Sequence, residues 1–208
     1  MSNIYKGEIM FVKQITYNDT KPFILGIHYA RRMPCIQYAY GLFENNELVG
    51  VCTFGQPASP SLCKGVGGEE YRHKVIELNR LVIKPDFHVK NSASFLVAKS
   101  LKLLPKGLFV VSYADIGGWG HVGYVYQATN FLYTGMTKRR TDIYSDSGHS
   151  RHHCGDRTKR QIRTEKHRYI YITGHNKNLL LALKYPVLPY PKGNSRRYNT
   201  DKPVGIIA

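Results

Sequence analysis

The spacing of apolar and polar positions predicts alternating strands and helices. Residues 8–15, EIMFVKQI, alternate and read as a first strand. Asn18-Asp19 supply turn or cap chemistry before PFILGIHYARR, a predicted helix that ends before Pro34. CIQYAYGLFEN and ELVGVCTFGQ are rich in β-branched and aromatic residues, and Asn45-Asn46 between them predicts a hairpin. The stretch 56–73 is dense in Pro, Gly and Ser and reads as a long loop, the kind that carries function. KVIELNRLVIK, 74–84, is the next strand, stopped by Pro85-Asp86. In SASFLVAKSLKLL the residues Phe95, Leu96, Leu101, Leu103 and Leu104 recur near helical spacing, with Asn91 or Ser92 as the cap. Pro105-Lys106-Gly107 breaks that helix, and LFVVSYAD, 108–115, reads as a buried strand with a polar end.

GGWG then turns the chain into HVGYVYQATNFLYTG, a predicted helix closing near Phe131 or Leu132 and leading into a strand. KHRYIYITG, 166–174, is a late strand and KNLLLALKYP a last short helix. Residues 186–208 form a Pro-rich polar tail, expected to be extended or frayed. No internal repeat is visible. The order β–α–β–β–β–α–β–α–β predicts a single α/β domain over 1–208, with a mixed central sheet and helices on both faces.

Composition narrows the partners. Apolar residues make up 42% of the 208, enough for a core. No run approaches a membrane span and the first residues lack a secretory h-region, so neither a membrane nor a secretory route is expected. Cys35, Cys52, Cys63 and Cys154 show no CxxC spacing and are expected as reduced thiols. Thirty Lys and Arg stand against 14 Asp and Glu, a net charge of +16. Residues 1–104 hold 13 basic and 8 acidic residues, and residues 105–208 hold 17 and 6. Ten Lys or Arg crowd into 138–168 alone. Clustered charge of this kind is the footprint of a polyanion, through phosphate contacts and counterion release.

Several residues carry candidate chemistry. SYAD ends a strand, and in open α/β sheets ligands gather at carboxyl ends, which nominates Ser112 and Asp115; Asp115 equally suits a helix cap. Strict alternation puts Glu77 and Asn79 on one face of their strand and Leu78 and Arg80 on the other. A structural Glu77–Arg pair is the alternative to a functional Glu77. A helix N-terminus beside Lys90, Asn91, Ser92 and Ser94 suits a pyrophosphate, or is an ordinary capped helix. His28 and Tyr29 stand next to Arg31 and Arg32, and His28 is a candidate base or metal ligand. His149-x-x-His152-His153-Cys154 lies in a basic loop and suits DNA contact better than zinc.

The order KVIELNRLVI, NSASFLVAKSLKLL, LFVVSYAD, YQATNFLYTG resembles the GNAT acetyltransferase fold. HYARRMP, LVGVCTFG, SLCKGVGGEEY, IELNRLVI, SYAD, GHVGYVYQATNFLYTG, KHRYIY and LKYPVLPYPKG together resemble the phage Mom family over about residues 20–192. The resemblance implies an intracellular phage enzyme, acting in the host cytoplasm, that converts adenine in double-stranded DNA to N6-carbamoylmethyl adenine and so blocks host restriction. It implies acetyl-CoA, held by the backbone around Asn79, Leu81 and Val82 and by the 90–94 turn, although the usual glycine loop is absent there. It makes His28-Tyr29 essential and Tyr126, or Tyr124, a general acid to a thiolate; a core aromatic contact is the alternative. Iron is implied as a further cofactor, with His28 plus Asp115 or Glu77 as partial ligands.

A flipped adenine needs phosphate contacts and stacking surfaces. Arg31, Arg32, Lys64, Arg139, Arg140, Arg151, Arg157, Lys159, Arg160, Arg163 and Lys166 are the candidate contacts, with 137–168 as the DNA-facing segment. Tyr38, Tyr40, Trp119 and Tyr169 are the candidate stacking rings, and 56–73 a candidate lid. The competing readings are an acetyltransferase of a protein or small molecule, and a non-catalytic basic DNA-binding protein.

Overall fold

The computed structural model describes residues 3–5, 8–117, 120–143 and 158–193. Eight strands form the main sheet: β1 (Asn3–Tyr5), β2 (Glu8–Gln14), β3 (Tyr38–Glu44), β4 (Glu47–Gly55), β5 (Val75–Ile83), β6 (Phe109–Asp115), β7 (Leu132–Met136) and β10 (Lys166–Ile172), in the order β1-β2-β3-β4-β5-β6-β10-β7. The β3–β4 turn uses Asn45 and Asn46 at φ 48° and 69°, left-handed values that Asn tolerates and a tight hairpin needs. Two further strands, β8 (Arg140–Ile143) and β9 (Arg160–Arg163), pair with each other in a separate ribbon.

Helices cover both faces. On one, α3 (Ser92–Leu103) buries Leu96, Val97 and Leu101 against Leu42, Phe54, Leu78, Val110 and Tyr169. On the other, a π-helical turn (Pro22–Ile27) sets Phe23 and Ile24 on Val51 and Val82. Beside it, α2 (Pro60–Tyr71) and α5 (Lys177–Ala182) set Cys63, Val66 and Leu179 on Val75, Phe109 and Ile170. Each fully buried Leu, Ile, Val or Phe contributes about 1.5–3 kcal/mol. The result is the expected α/β fold, a mixed sheet between two helical layers.

The local outcome differs from the sequence expectation at several places. The 56–73 loop is largely helix α2: Pro60 opens it at a position where its missing N–H costs nothing, and Gly68 at φ 71° kinks it. The first helix is α1 (Tyr17–Lys21), started by a reciprocal Thr16–Asp19 capping box, and the chain leaves helical geometry at His28 rather than Arg32. The 121–132 helix shrinks to α4 (Tyr124–Ala128), bounded by left-handed Gly123 and Asn130. The tail is docked as far as it is described, with the Leu188 N–H bonded to the Tyr133 carbonyl at 2.9 Å and the Tyr190 hydroxyl to the Phe131 carbonyl at 2.7 Å.

One feature of the sheet places the site. β5 and β6 pair in parallel at Val75–Phe109, Ile76–Val110 and Glu77–Val111 and then part. Beyond that point β5 stays on β4 and β6 stays on β10. A β-bulge sits at the fork, because Thr53 opposes Arg80 while Phe54 opposes Leu78, leaving Asn79 as the extra residue. The bulge shifts the alternation by one. Leu78 and Leu81 therefore face the same core while Val82 faces the other. This corrects the expectation that Leu78 and Arg80 share a face; Arg80 falls on the side of Glu77.

Candidate active site

The fork opens at the carboxyl ends of two adjacent parallel strands, where side chains and backbone of both can reach one ligand. Ser112, the first β6 residue past the split, is buried and donates to the Leu78 carbonyl across the gap at 3.3 Å. Its hydroxyl also lies within hydrogen-bonding reach of Tyr126 on α4. The Tyr126 ring packs on Phe131 and Tyr169, with centroids 5.4 and 5.3 Å away. Burial pushes the Tyr126 phenol up to about 12, so it keeps its proton at neutral pH. Tyr124 lies elsewhere: it is exposed and its hydroxyl bonds Gly193 of the tail. Of the two tyrosines, the fork holds Tyr126.

Gln127 fixes this corner. Its amide nitrogen donates to the Val122 carbonyl at 3.0 Å, the Tyr169 hydroxyl at 3.1 Å and the Pro191 carbonyl at 3.1 Å. Sequence reasoning passed over Gln127, since two of its three partners come from distant segments.

The opposite wall is the 28–36 segment. The Asn79 side chain, thrown out by the bulge, accepts from Thr53 Oγ1 at 2.6 Å and donates to the Cys35 carbonyl at 2.8 Å. The Arg80 guanidinium donates to the carbonyls of Asn79 at 2.6 Å and Arg32 at 3.1 Å. The sequence reading placed Arg80 only on a strand face with Leu78, yet it staples the 28–32 loop to β5. Burial lowers its pKa first, with Arg32 adding to the effect, while Tyr29 and Glu77 oppose it. The same Glu77 charge raises the Tyr113 phenol and the Cys63 thiol, though burial is the larger cause in both.

His28 departs from its expected roles. Burial first, and then the Arg80 charge, hold its pKa down at about 4, so the ring is neutral at pH 7. The Ala30 N–H donates to His28 Nδ1 at 3.0 Å. A neutral imidazole whose Nδ1 accepts carries its proton on Nε2. With Nδ1 engaged by the Ala30 N–H and the proton on Nε2, His28 stands in this structure as a hydrogen-bond donor. The Tyr29 ring stacks on it at 4.3 Å between centroids and is 59% exposed.

Asp115 also takes a different part. Burial raises its carboxyl, but hydrogen bonds from Lys166, Thr164 and Gly117 outweigh this and leave it below the usual carboxylate range. Thr164 donates at 2.7 Å and the Gly117 N–H at 2.9 Å, and Lys166 forms an ion pair. Asp115 thus ties the end of β6 to the root of β10 and is not brought to His28. Among the described residues no three His, Cys, Asp or Glu gather as a metal site. The described residues therefore do not fit the expected iron centre.

The residues expected to hold the coenzyme lie on β5 and at the start of α3. Because β6 turns away, β5 beyond Glu77 has one edge free of strand partners among the described residues, with Leu81 partly buried on one face and Val82 buried on the other. α3 runs back from the carboxyl end of β5, so its N-terminus opens at the mouth of the fork. Asn91 there is left-handed at φ 65°, Lys90 is exposed, Ser92 is buried, and Ser94 donates back to the Asn91 carbonyl at 3.0 Å. First-turn amides suit an anion and the open edge suits an amide-bearing arm.

The candidate DNA contacts divide. Arg139, Arg140, Lys159 and Arg160 are exposed on or beside the β8–β9 ribbon. Arg163 pairs with Asp142 at 2.9 Å and Lys64 with Glu69 at 2.9 Å, and the Arg32 backbone is taken by Arg80 while Arg31 is exposed. Arg151, Arg157, Trp119 and the 149–154 cluster lie outside the described residues. Tyr40 and Tyr169 are buried in the core and cannot stack a base, and Tyr38 is packed against that core. Tyr29, 59% exposed, is the most exposed of the described tyrosines and was not among the expected stacking rings.

A family model described as the Mom protein family matches residues 9–192. The chain belongs to the Mom family. The methylcarbamoylase Mom of Escherichia phage Mu is 30% identical over 188 residues, covering 79% of this chain and 76% of the relative. Solved structures with a similar fold include an N-acetyltransferase from Staphylococcus aureus, 14% identical, covering 79% of this chain and 98% of that one, TM-score 0.48. A GNAT acetyltransferase from Elizabethkingia anophelis with acetyl-CoA bound is 13% identical, covering 78% and 97%, TM-score 0.45. No helix among the described residues of this Mom-family chain is long and apolar enough to cross a membrane.

Proposed function

We propose that this Mom-family chain is a phage DNA-modifying transferase that converts adenine to N6-carbamoylmethyl adenine and thereby shields the DNA from restriction. The observation that carries the reading is the fork, with protonated Tyr126 beside Ser112 at its split. Acetyl-CoA, when bound, would supply a two-carbon unit and a thiolate leaving group; the carbamoylmethyl product also requires a nitrogen donor to displace the thiolate and a two-electron oxidant to join the methyl carbon to N6. The free β5 edge receives the amide-bearing arm, and the α3 N-terminus with Lys90 holds the pyrophosphate. Tyr126 Oη holds a proton where negative charge would develop on sulfur. His28 Nε2–H donates a second hydrogen bond at the mouth without changing charge. The exposed Tyr29 ring offers a face to an extruded adenine.

The test is mass spectrometry of nucleosides from DNA of cells expressing the protein. Carbamoylmethyl adenine supports the proposal, and its loss in Tyr126→Phe assigns it to the fork. An N6-acetyl product, lighter by NH, would show simple acyl transfer. Unchanged nucleosides from cells holding soluble, folded protein would overturn the reading.

A further inference from the structure

The β8–β9 ribbon breaks a rule of strand pairing. Arg140 and Arg163 stand directly opposite each other, and like charges so placed are destabilising. Asp142 answers both, at 3.5 Å from Arg140 and 2.9 Å from Arg163, so one carboxylate serves two guanidinium groups. Arg139, Lys159 and Arg160 add exposed charge around the same short ribbon, and Ile162 is 61% exposed. Among the described residues its contacts are chiefly between its own two strands, and a two-stranded ribbon by itself is marginally stable in water. Excess cation on an element with so little packing implies that something outside the chain completes it.

The ribbon's place indicates what that is. It leaves the sheet after β7 and re-enters at β10, whose first residue, Lys166, opposes Asp115 at the carboxyl end of β6. That is the end at which the fork opens. Asp115 grips Thr164 and Lys166, fastening the ribbon's root to the strand that carries Ser112. Four residues per strand at about 3.3 Å each, two strands wide, is a body that the major groove of B-DNA admits.

We propose that the β8–β9 ribbon is a duplex-DNA arm that engages the phosphate backbone and holds the duplex at the mouth of the fork. The inference rests on the DNA-modifying reading above and adds the element that delivers the substrate. Phosphates, rather than Asp142 alone, satisfy the opposed Arg140–Arg163 pair.

The experiment titrates full-length protein onto a labelled duplex across a salt series. Each phosphate contact contributes about 0.9 to the slope of log K against log salt. Arg140→Ala with Lys159→Ala and Arg160→Ala should therefore flatten the slope by roughly 2.7. The matched Arg140→Lys and Arg160→Lys variant should keep it, since a point charge still neutralises a phosphate. Thermal melting of each variant checks that the core is intact. An unchanged slope in the alanine variant, against a steep wild-type slope, overturns the arm while leaving the DNA reading standing. A wild-type slope near zero sinks both. Equal affinity for polyglutamate of matched charge overturns the arm in favour of an acidic-protein partner.

Discussion

Removing His28 tests the electrostatics of the site. Its pKa of about 4 against an unfolded value near 6.5 means that the unfolded chain takes up a proton more readily between those limits. The stabilisation is thus fully present above pH 6.5 and is lost as pH falls through 4. Each pKa unit is worth about 1.4 kcal/mol, and integration from pH 7.5 to 5 assigns His28 about 2 kcal/mol, an upper figure because the ring is only partly buried. The assay is urea denaturation of wild type and His28→Gln at both pH values. Wild type should lose about 2 kcal/mol more than the variant on acidification. His121 and His167, whose pKa values burial also lowers, contribute to both proteins and cancel in the difference. Equal losses in the two proteins would refute a neutral, partly buried His28 and restore it as a candidate base.

Other outcomes are specific. Tyr126→Phe should reduce modified adenine at least tenfold, while Tyr124→Phe, which loses only the Gly193 contact, should leave it nearly unchanged; nucleoside mass spectrometry reads both. Gly55→Ala would put a Cβ 1.9 Å from the Cys35 carbonyl oxygen and break the wall held by Asn79, a loss of about 2–4 kcal/mol in a denaturant melt. Asp115→Asn should cost about 1 kcal/mol at pH 7, an amount limited by partial exposure. Because its folded pKa is depressed, this difference should fade as pH drops below about 4, which melts at pH 7 and 3 would show.

The strands that carry the site were legible because their apolar runs are long and their stops are explicit. Pro85-Asp86 ends β5 and the polar end of SYAD ends β6, close to where the structure ends them. Helix α2 was missed because Gly65, Gly67 and Gly68 lower helix propensity, and only packing of Cys63 and Val66 on the sheet outweighs them. The face of Arg80 was misjudged for a related reason. Alternation is a property of an unbroken strand, and the bulge at Asn79 is set by β4, a partner the local sequence cannot display.

Tyr126 was nominated by the family resemblance, whereas by itself the sequence determined the α/β class, the basic second half, and the polar strand end that pointed to Ser112 and Asp115. These follow from periodicity and composition, which are local or additive. Roles were decided only by tertiary structure. Ala30 chose the His28 tautomer, Lys166 and Thr164 made Asp115 an anchor, and Gly193 drew Tyr124 away from the fork. A side chain's protonation and aim depend on which groups surround it, and those groups arrive from strands, loops and tail far apart in the chain.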